Sequence, residues 1–370
     1  MTDIRLFVVS ALCLLLAGPV SAESGDDEAD KEIVPVGMTS RDFEDSERTE
    51  WAGEGPRPLV TTIWYPTESS QDASEVTIGN PEDPLFIAGK AQGNPRVSDE
   101  HDRYPLILLS HGTGGAGQHL MWLATRLAEQ GYIVAAVNHH GNTSAGETYR
   151  PEGFMLWWER TRDLSVLLDH LLEDSTFGDR IDGLRIGAAG FSLGGYTVIS
   201  LAGGLTSMEA FRSFCESRDR DATCELQAEF PGVSDDYRHA ATLDHVRESM
   251  ARHDESWRDD RFAAVYAMAP ALGGAFTQRG LMPIVVPVGI LGAPRDHVAP
   301  IQTNAEYFAE HIEGAELEMI DDARHYSFLS RCTESGRERL ELLCTESAEA
   351  RAAIHEQAAR KVIEFFDQHL

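Results

Sequence analysis

The stretch RIGAAGFSLGGYTV, residues 185–198, carries a short apolar run into a G-x-S-x-G sequence and then into a helix-like segment. Ser192 stands at the junction, between Gly190 and Gly194. A serine on so tight a strand-to-helix turn needs glycine on both sides, because a side chain at either flank collides with neighbouring backbone. The turn presents the hydroxyl at the carboxyl edge of a sheet, with the amino terminus of the next helix aimed at the same point. Ser192 is therefore a candidate nucleophile. A glycine-rich turn with an incidental serine is the alternative.

Outward from this turn, apolar runs alternate with amphipathic stretches: YPLILLSHG, GQHLMWLATRLAEQG, YIVAAVNHHG and MLWWERTRDLSVLLDHLLED before it, RFAAVYAMAP, PIVVPVGILGAP and AELEMID after it. Short continuous apolar runs fit strands buried on both faces, and the alternation fits a parallel sheet with crossover helices. PLVTTIWYP, from residue 58, reads as the first strand, and a polar, Pro-containing loop follows it. Residues 205–260 are charged and lack strand-like runs, which predicts a helical cap inserted into the fold. Helical spacing of Ile354, Ala358, Val362 and Phe365 predicts a last helix from about 348 to 370. The expected architecture is one α/β domain over 58–370, a mostly parallel central sheet flanked by helices.

A serine hydroxyl needs a base, and the base needs a carboxylate to orient it and stabilise its charge. On this architecture the partners follow in the order Ser, Asp or Glu, His, each after a late strand. Asp296 lies just beyond the apolar run in VGILGAPRDHVAP, and His325 just beyond the next, in LEMIDDARHYSFL. Asp321 and Asp322 are rival acids only three or four residues before His325. His297 and His311 fit surface or packing roles. An oxyanion needs two backbone donors. One is the N–H of Leu193, after the nucleophile; the other comes from the loop His111-Gly112-Thr113-Gly114-Gly115, with Thr113 preferred over Gly112. His111 fits a role in ordering that loop.

Residues 112–117 also match G-x-G-x-x-G, but the acidic residue that a dinucleotide site wants after the next strand is replaced by Asn138 and His139. No cofactor is implied. His139 and His140 lack companion ligands for a metal, and no cysteine spacing resembles a zinc site. Trp157 and Trp158 fit either an acyl pocket or core packing; Arg160, Arg162 and Asp163 fit either a buried ion pair or a solvated helix face.

The 370 residues include 31 Lys and Arg against 61 Asp and Glu, a formal charge of −30. Such a field repels nucleic-acid phosphates and anionic lipid surfaces. Residues 1–22 read as an export signal cleaved after Ala22, a loss of Asp3 and Arg5 that leaves the charge unchanged. The apolar run from Leu6 to Val20 is short for a membrane span, so no stable insertion is expected once the signal is removed. Residues 23–57, acidic at first, are expected to form a mobile leader. Cys13 leaves with the signal. Cys215, Cys224, Cys332 and Cys344 remain, an even number that predicts two disulfides in an exported, periplasmic or secreted protein. Three connectivities are open, and proximity favours 215 with 224 and 332 with 344. The oligomeric state has no sequence signal.

Taken in order, PLVTTIWYP, LSHGTGG, VNHHGNT, GFSLGG, GAPRDHVAP and RHYSFL resemble the α/β-hydrolases. More narrowly they resemble serine-nucleophile relatives of dienelactone hydrolase, a group that includes platelet-activating-factor acetylhydrolases and is similar to bacterial polyester hydrolases. The resemblance spans about residues 58–330. It implies Ser192 as nucleophile, His325 as base, Asp296 as acid, and Thr113 and Leu193 as oxyanion donors. Dienelactone hydrolases themselves carry cysteine where this chain has Ser192, which argues against lactone hydrolysis of that kind. The expected activity is hydrolysis of a small-molecule or polymeric carboxylic ester; a peptidase or amidase with the same triad, or a binding protein without catalysis, are the alternatives.

Overall fold

A computed structural model describes residues 34–53, 55–225, 230 and 232–370. The proposed signal and the first part of the leader lie outside the described residues. In chain order the strands are β1 (Val36–Thr49), β2 (Pro56–Pro66), β3 (Ser74–Asn80), β4 (Asp83–Gly93), β5 (Tyr104–Ser110), β6 (Ile133–Val137), β7 (Ile181–Phe191), β8 (Ala264–Met268), β9 (Val288–Gly292), β10 (Glu316–Met319) and β11 (Arg331–Cys332). They join in one sheet of order β10-β9-β8-β7-β5-β6-β2-β1-β4-β11, with β3 paired to β4. From β10 to β6 every neighbouring pair is parallel; β2 runs antiparallel to both β6 and β1. The fold is α/β, a mostly parallel sheet with flanking helices.

Alternation along β5 shows how the two layers form. Leu106 and Leu108 enter one core with the helices Glu159–Glu173 and Leu193–Leu201, while Ile107 and Leu109 enter the other with Met121–Glu129 and Ala348–His369. Successive strand side chains face opposite ways, so a strand covered on both sides must be apolar throughout. Residues 205–260 form the short helices Met208–Glu216, Tyr237–Ala240 and Asp244–Met250 between the Leu193–Leu201 helix and β8. Cys215 is bonded to Cys224, and Cys332 to Cys344.

One boundary differs from the expectation. Residues 36–49 are not leader: β1 pairs through Val36–Asp45 and at Thr49 with β2 and, near its start, with β4. The charges that make this stretch resemble a solvated tail are consumed by partners. Asp45 is buried beside Arg48, and Arg48 reaches Glu159 at 3.0 Å and Asp163 at 2.7 Å. The polar loop after β2 is likewise a hairpin, β3 with β4, whose Val76 and Ile78 alternate onto the core.

Candidate active site

Ser192 caps the helix Leu193–Leu201 with φ +56° and ψ −116°, a conformation that costs free energy for any residue with a Cβ. The surroundings impose it. Its N–H donates to the Met268 carbonyl at 3.0 Å, and its own carbonyl accepts from Ala271 and Tyr196. A Cβ at Gly190 would overlap the Gly194 carbonyl, and one at Gly194 would overlap the Ser110 carbonyl. The two flanking glycines let backbone sit against backbone under the serine.

Asp296 begins the loop after β9. Its Oδ1 accepts from the N–H groups of Val298 and Ala299 at 2.8 and 2.7 Å, which fixes the carboxylate, and its Oδ2 lies 2.6 Å from His325 Nδ1. His325 Nε2 lies 2.9 Å from Ser192 Oγ. Because Asp296 accepts at Nδ1, that nitrogen carries the imidazole proton and Nε2 is left to accept from the serine hydroxyl. A hydroxyl, imidazole and carboxylate joined this way can move a proton from Oγ to Nε2 while Oγ attacks an acyl carbon. Of the rivals, Asp322 pairs with Arg295 at 2.8 Å, Asp321 and His297 are exposed, and His311 bonds the Tyr307 carbonyl.

The turn that carries His325 is clamped from beneath. Trp122 Nε1 donates to the Phe328 carbonyl at 2.9 Å, and His355 Nε2 donates to the carbonyls of Ser327 and Leu329, both at 3.0 Å. The two rings stack with centroids 4.2 Å apart. Burial, with Arg351 nearby, pushes the His355 imidazole down to about 3, so it stays neutral. Neither residue was singled out by the sequence reading, since nothing local marks them.

The loop 112–117 wraps the other side. The Gly117 N–H donates to Asn138 Oδ1 at 2.9 Å and the Gly114 N–H to Asn142 Oδ1, so asparagines stand where a dinucleotide site would want an acid. His111 is buried and takes a structural part. Its Nε2 accepts the His139 N–H at 3.1 Å, leaving Nδ1 to donate to the Gly112 carbonyl at 2.7 Å, and Arg160 donates to the His111 carbonyl. Burial, reinforced by Arg160, holds the His111 imidazole well below its usual range. His139 bonds Ser110 and Asp163, while His140 accepts from the Trp51 N–H. Among the described residues no group of three or more His, Cys, Asp or Glu could hold a metal ion.

Ser192, His325, Thr113 and Leu193 open onto one cavity of about 1110 Å³. Trp157 lines it, whereas Trp158 is core and donates to Ser249. The cap supplies Met208, Phe211, Cys224 and Tyr237; the opposite side supplies Tyr326, Leu329 and residues 339–343.

The family model for platelet-activating factor acetylhydrolase, isoform II, matches residues 87–153. Cutinase est1 of Thermobifida alba is 26% identical over 271 residues, 71% of this chain and 68% of that protein. A ferulic acid esterase from Streptomyces cinnamoneus superimposes with a TM-score of 0.61 at 22% identity, covering 93% of this chain and 92% of the other. The chain has the α/β-hydrolase fold. A shorter similarity joins this chain to dipeptidyl-peptidase 5 of Porphyromonas gingivalis, 34% identical over 114 residues, which are 30% of this chain but only 16% of that one.

Proposed function

We propose that this α/β-hydrolase is an exported serine esterase that cleaves carboxylic esters with Ser192 as nucleophile, His325 as general base and acid, and Asp296 as the orienting carboxylate. The observation that carries the reading is the unbroken hydrogen-bonded run Ser192–His325–Asp296 at the wall of a large cavity. Similarity to a cutinase over most of the chain favours esters as the substrate class.

His325 takes the Ser192 proton as Oγ bonds to the ester carbon. The carbonyl oxygen becomes an oxyanion facing the amides of Thr113 and Leu193, donors placed at the loop 112–117 and at a helix amino terminus. The bond to the alkoxy oxygen then breaks, and the proton on Nε2 leaves with the alcohol. Water, losing a proton to the same nitrogen, attacks the acyl-enzyme and frees the acid and Ser192. No cofactor enters these steps. Export rests on residues 1–22 and on the two disulfides, which persist in oxidising compartments.

Two measurements test this reading. A fluorophosphonate probe should label the protein and fail on Ser192→Ala, and p-nitrophenyl acetate should be turned over by the wild type alone. The likeness to a dipeptidyl-peptidase supports a second reading, amide cleavage. Matched anilides cleaved faster than the esters would favour it, and an unlabelled, inactive wild type would leave a binding protein on the same fold.

A further inference from the structure

If the ester reaction above holds, its own chemistry divides the cavity. The proton that His325 takes from Ser192 is returned to the departing oxygen, so that oxygen must come within about 2.6–3.2 Å of Nε2. The carbonyl oxygen meanwhile faces the amides of Thr113 and Leu193. The alcohol half of the ester therefore leaves on the His325 side.

The two sides are built from different cores. Toward the cap, Trp157 and Phe211 pack edge to face, 5.0 Å between ring centroids, onto the core that holds Leu193 and Tyr196. On the other side Tyr326 sets its ring against His325 at 5.2 Å, and Leu329 follows four residues after His325. Beyond them Leu85, Leu340 and Leu343 pack on a small core of Phe86 with Cys332 and Cys344. That disulfide, and the pairing of Cys332 with Phe86 across β11 and β4, brace the segment 333–343, of which residues 339–343 wall the cavity. On this wall Leu342 is 53% exposed. It is the one exposed large hydrophobic among the described residues that lines the cavity. With Leu85, Phe86, Leu340 and Leu343 also lining the cavity, Leu342 belongs to a continuous apolar lining, the kind of surface that takes an apolar ligand. Arg339 on the same wall turns to Asp83 at 3.1 Å, so the fixed charge beside Leu342 is the carboxylate of Glu341.

We infer that the wall formed by residues 339–343, with Leu342 exposed on it, is the binding site for the alcohol half of the substrate, and that this half is an extended, apolar, uncharged alcohol. An anionic or phosphate-bearing alcohol is disfavoured by Glu341. The inference rests on the proposed ester hydrolysis and adds to it the class of leaving group.

The test uses the full chain and two series of neutral esters: acetates of straight-chain alcohols from methanol to octanol, and methyl esters of acids of the same lengths. In the wild type kcat/KM should rise about tenfold or more along the alcohol series, since burying even a few methylenes is worth that much. Leu342→Ser, a surface change that leaves the fold intact, should remove about three- to tenfold of this gain on octyl acetate and leave the methyl-ester series within about twofold. Leu342→Glu should flatten the alcohol series further. A wild-type rate indifferent to alcohol length, or variants that alter the acyl series instead, overturns the inference while ester hydrolysis stands. No turnover of any ester, with Ser192 unlabelled by a fluorophosphonate, overturns the proposed function itself.

Discussion

Two Ser–His–Asp runs stand among the described residues. In one, Ser192, His325 and Asp296 are joined at 2.9 and 2.6 Å; in the other, Ser110, His139 and Asp163 are joined at 2.9 and 2.9 Å. All six residues are buried, and the chemical groups are the same. What separates them is access and the company of the acid. Ser192 and His325 line the cavity, whereas Ser110 closes β5 and His139 follows β6, beneath the loop 112–117. Asp296 is fixed by two backbone N–H groups and remains the partner of its histidine. Asp163 is shared with Arg48 and Arg57, at 2.7 and 2.8 Å. Burial alone would raise the Asp163 carboxyl, but Arg57 and Arg48 outweigh it and hold it well below the usual carboxylate range. On the proposed mechanism, the same three residue types make a reacting group in one place and a brace in the other.

The largest expected contrast is in the two serines. Ser192→Ala should lower kcat/KM on p-nitrophenyl acetate on the order of 10⁴- to 10⁶-fold. Ser110→Ala should change it by about threefold or less, because its hydroxyl meets only His139. Comparable losses in both variants would break the comparison outright. The acids should separate next, and in different observables. Asp296→Asn should cut kcat on the order of 10⁴-fold, by leaving the imidazole in the wrong tautomer, with little change in melting temperature. Asp163→Asn should instead destabilise the fold by about 3–5 kcal/mol, since Arg57 is left buried without its counter-charge and Arg48 keeps only Asp45 and Glu159. Thermal unfolding and active-site titration on the same samples distinguish lost folding from lost chemistry.

How much of this was legible in the sequence follows from where the signals lie. Strands β5 to β9 announce themselves because a strand covered on both faces must be apolar, and the turn at Ser192 because only glycine fits beside it. β1 does not, since its pattern of Asp, Glu and Arg makes sense only with Glu159 and Asp163, more than a hundred residues away. For the same reason the helix bearing Arg160, Arg162 and Asp163 left two readings open. Its ion pair exists, but Asp163 pairs with Arg48 and Arg57 rather than with Arg160. Asp296 and His325 stand at strand ends, where the architecture places such residues. The walls of the cavity carry no comparable mark, because they are assembled from segments that meet only after folding.

The disulfides sharpen the comparison at a smaller scale, since one bond backs each side of the cavity. Loss of either loop constraint is worth about 2.5 to 3 kcal/mol in the chain-entropy account. Cys332→Ser with Cys344→Ser should lower both the melting temperature and kcat, as Cys332 lies seven positions after His325. Cys215→Ser with Cys224→Ser should lower the melting temperature alike and alter KM more than kcat. Equal kinetic profiles for the two pairs would mean that the bond near the base does not help to hold it.

The smallest effect concerns acid. Burial, with Arg160 beside it, depresses the His139 imidazole to about 3, and burial with Arg351 depresses His119 to about 4 and His355 to about 3. In the unfolded chain each of these rings takes up a proton near pH 6.5. Between there and their folded values the unfolded state binds more protons, so stability is full above about pH 6.5 and is lost as the pH falls toward 4. The melting temperature should decline over that window, and His355→Phe, which removes one titrating ring along with its two hydrogen bonds, should start lower and decline less steeply. If the slope of melting temperature against pH is the same in the variant as in the wild type, His355 is not buried neutral, and the clamp under the His325 turn must be drawn differently.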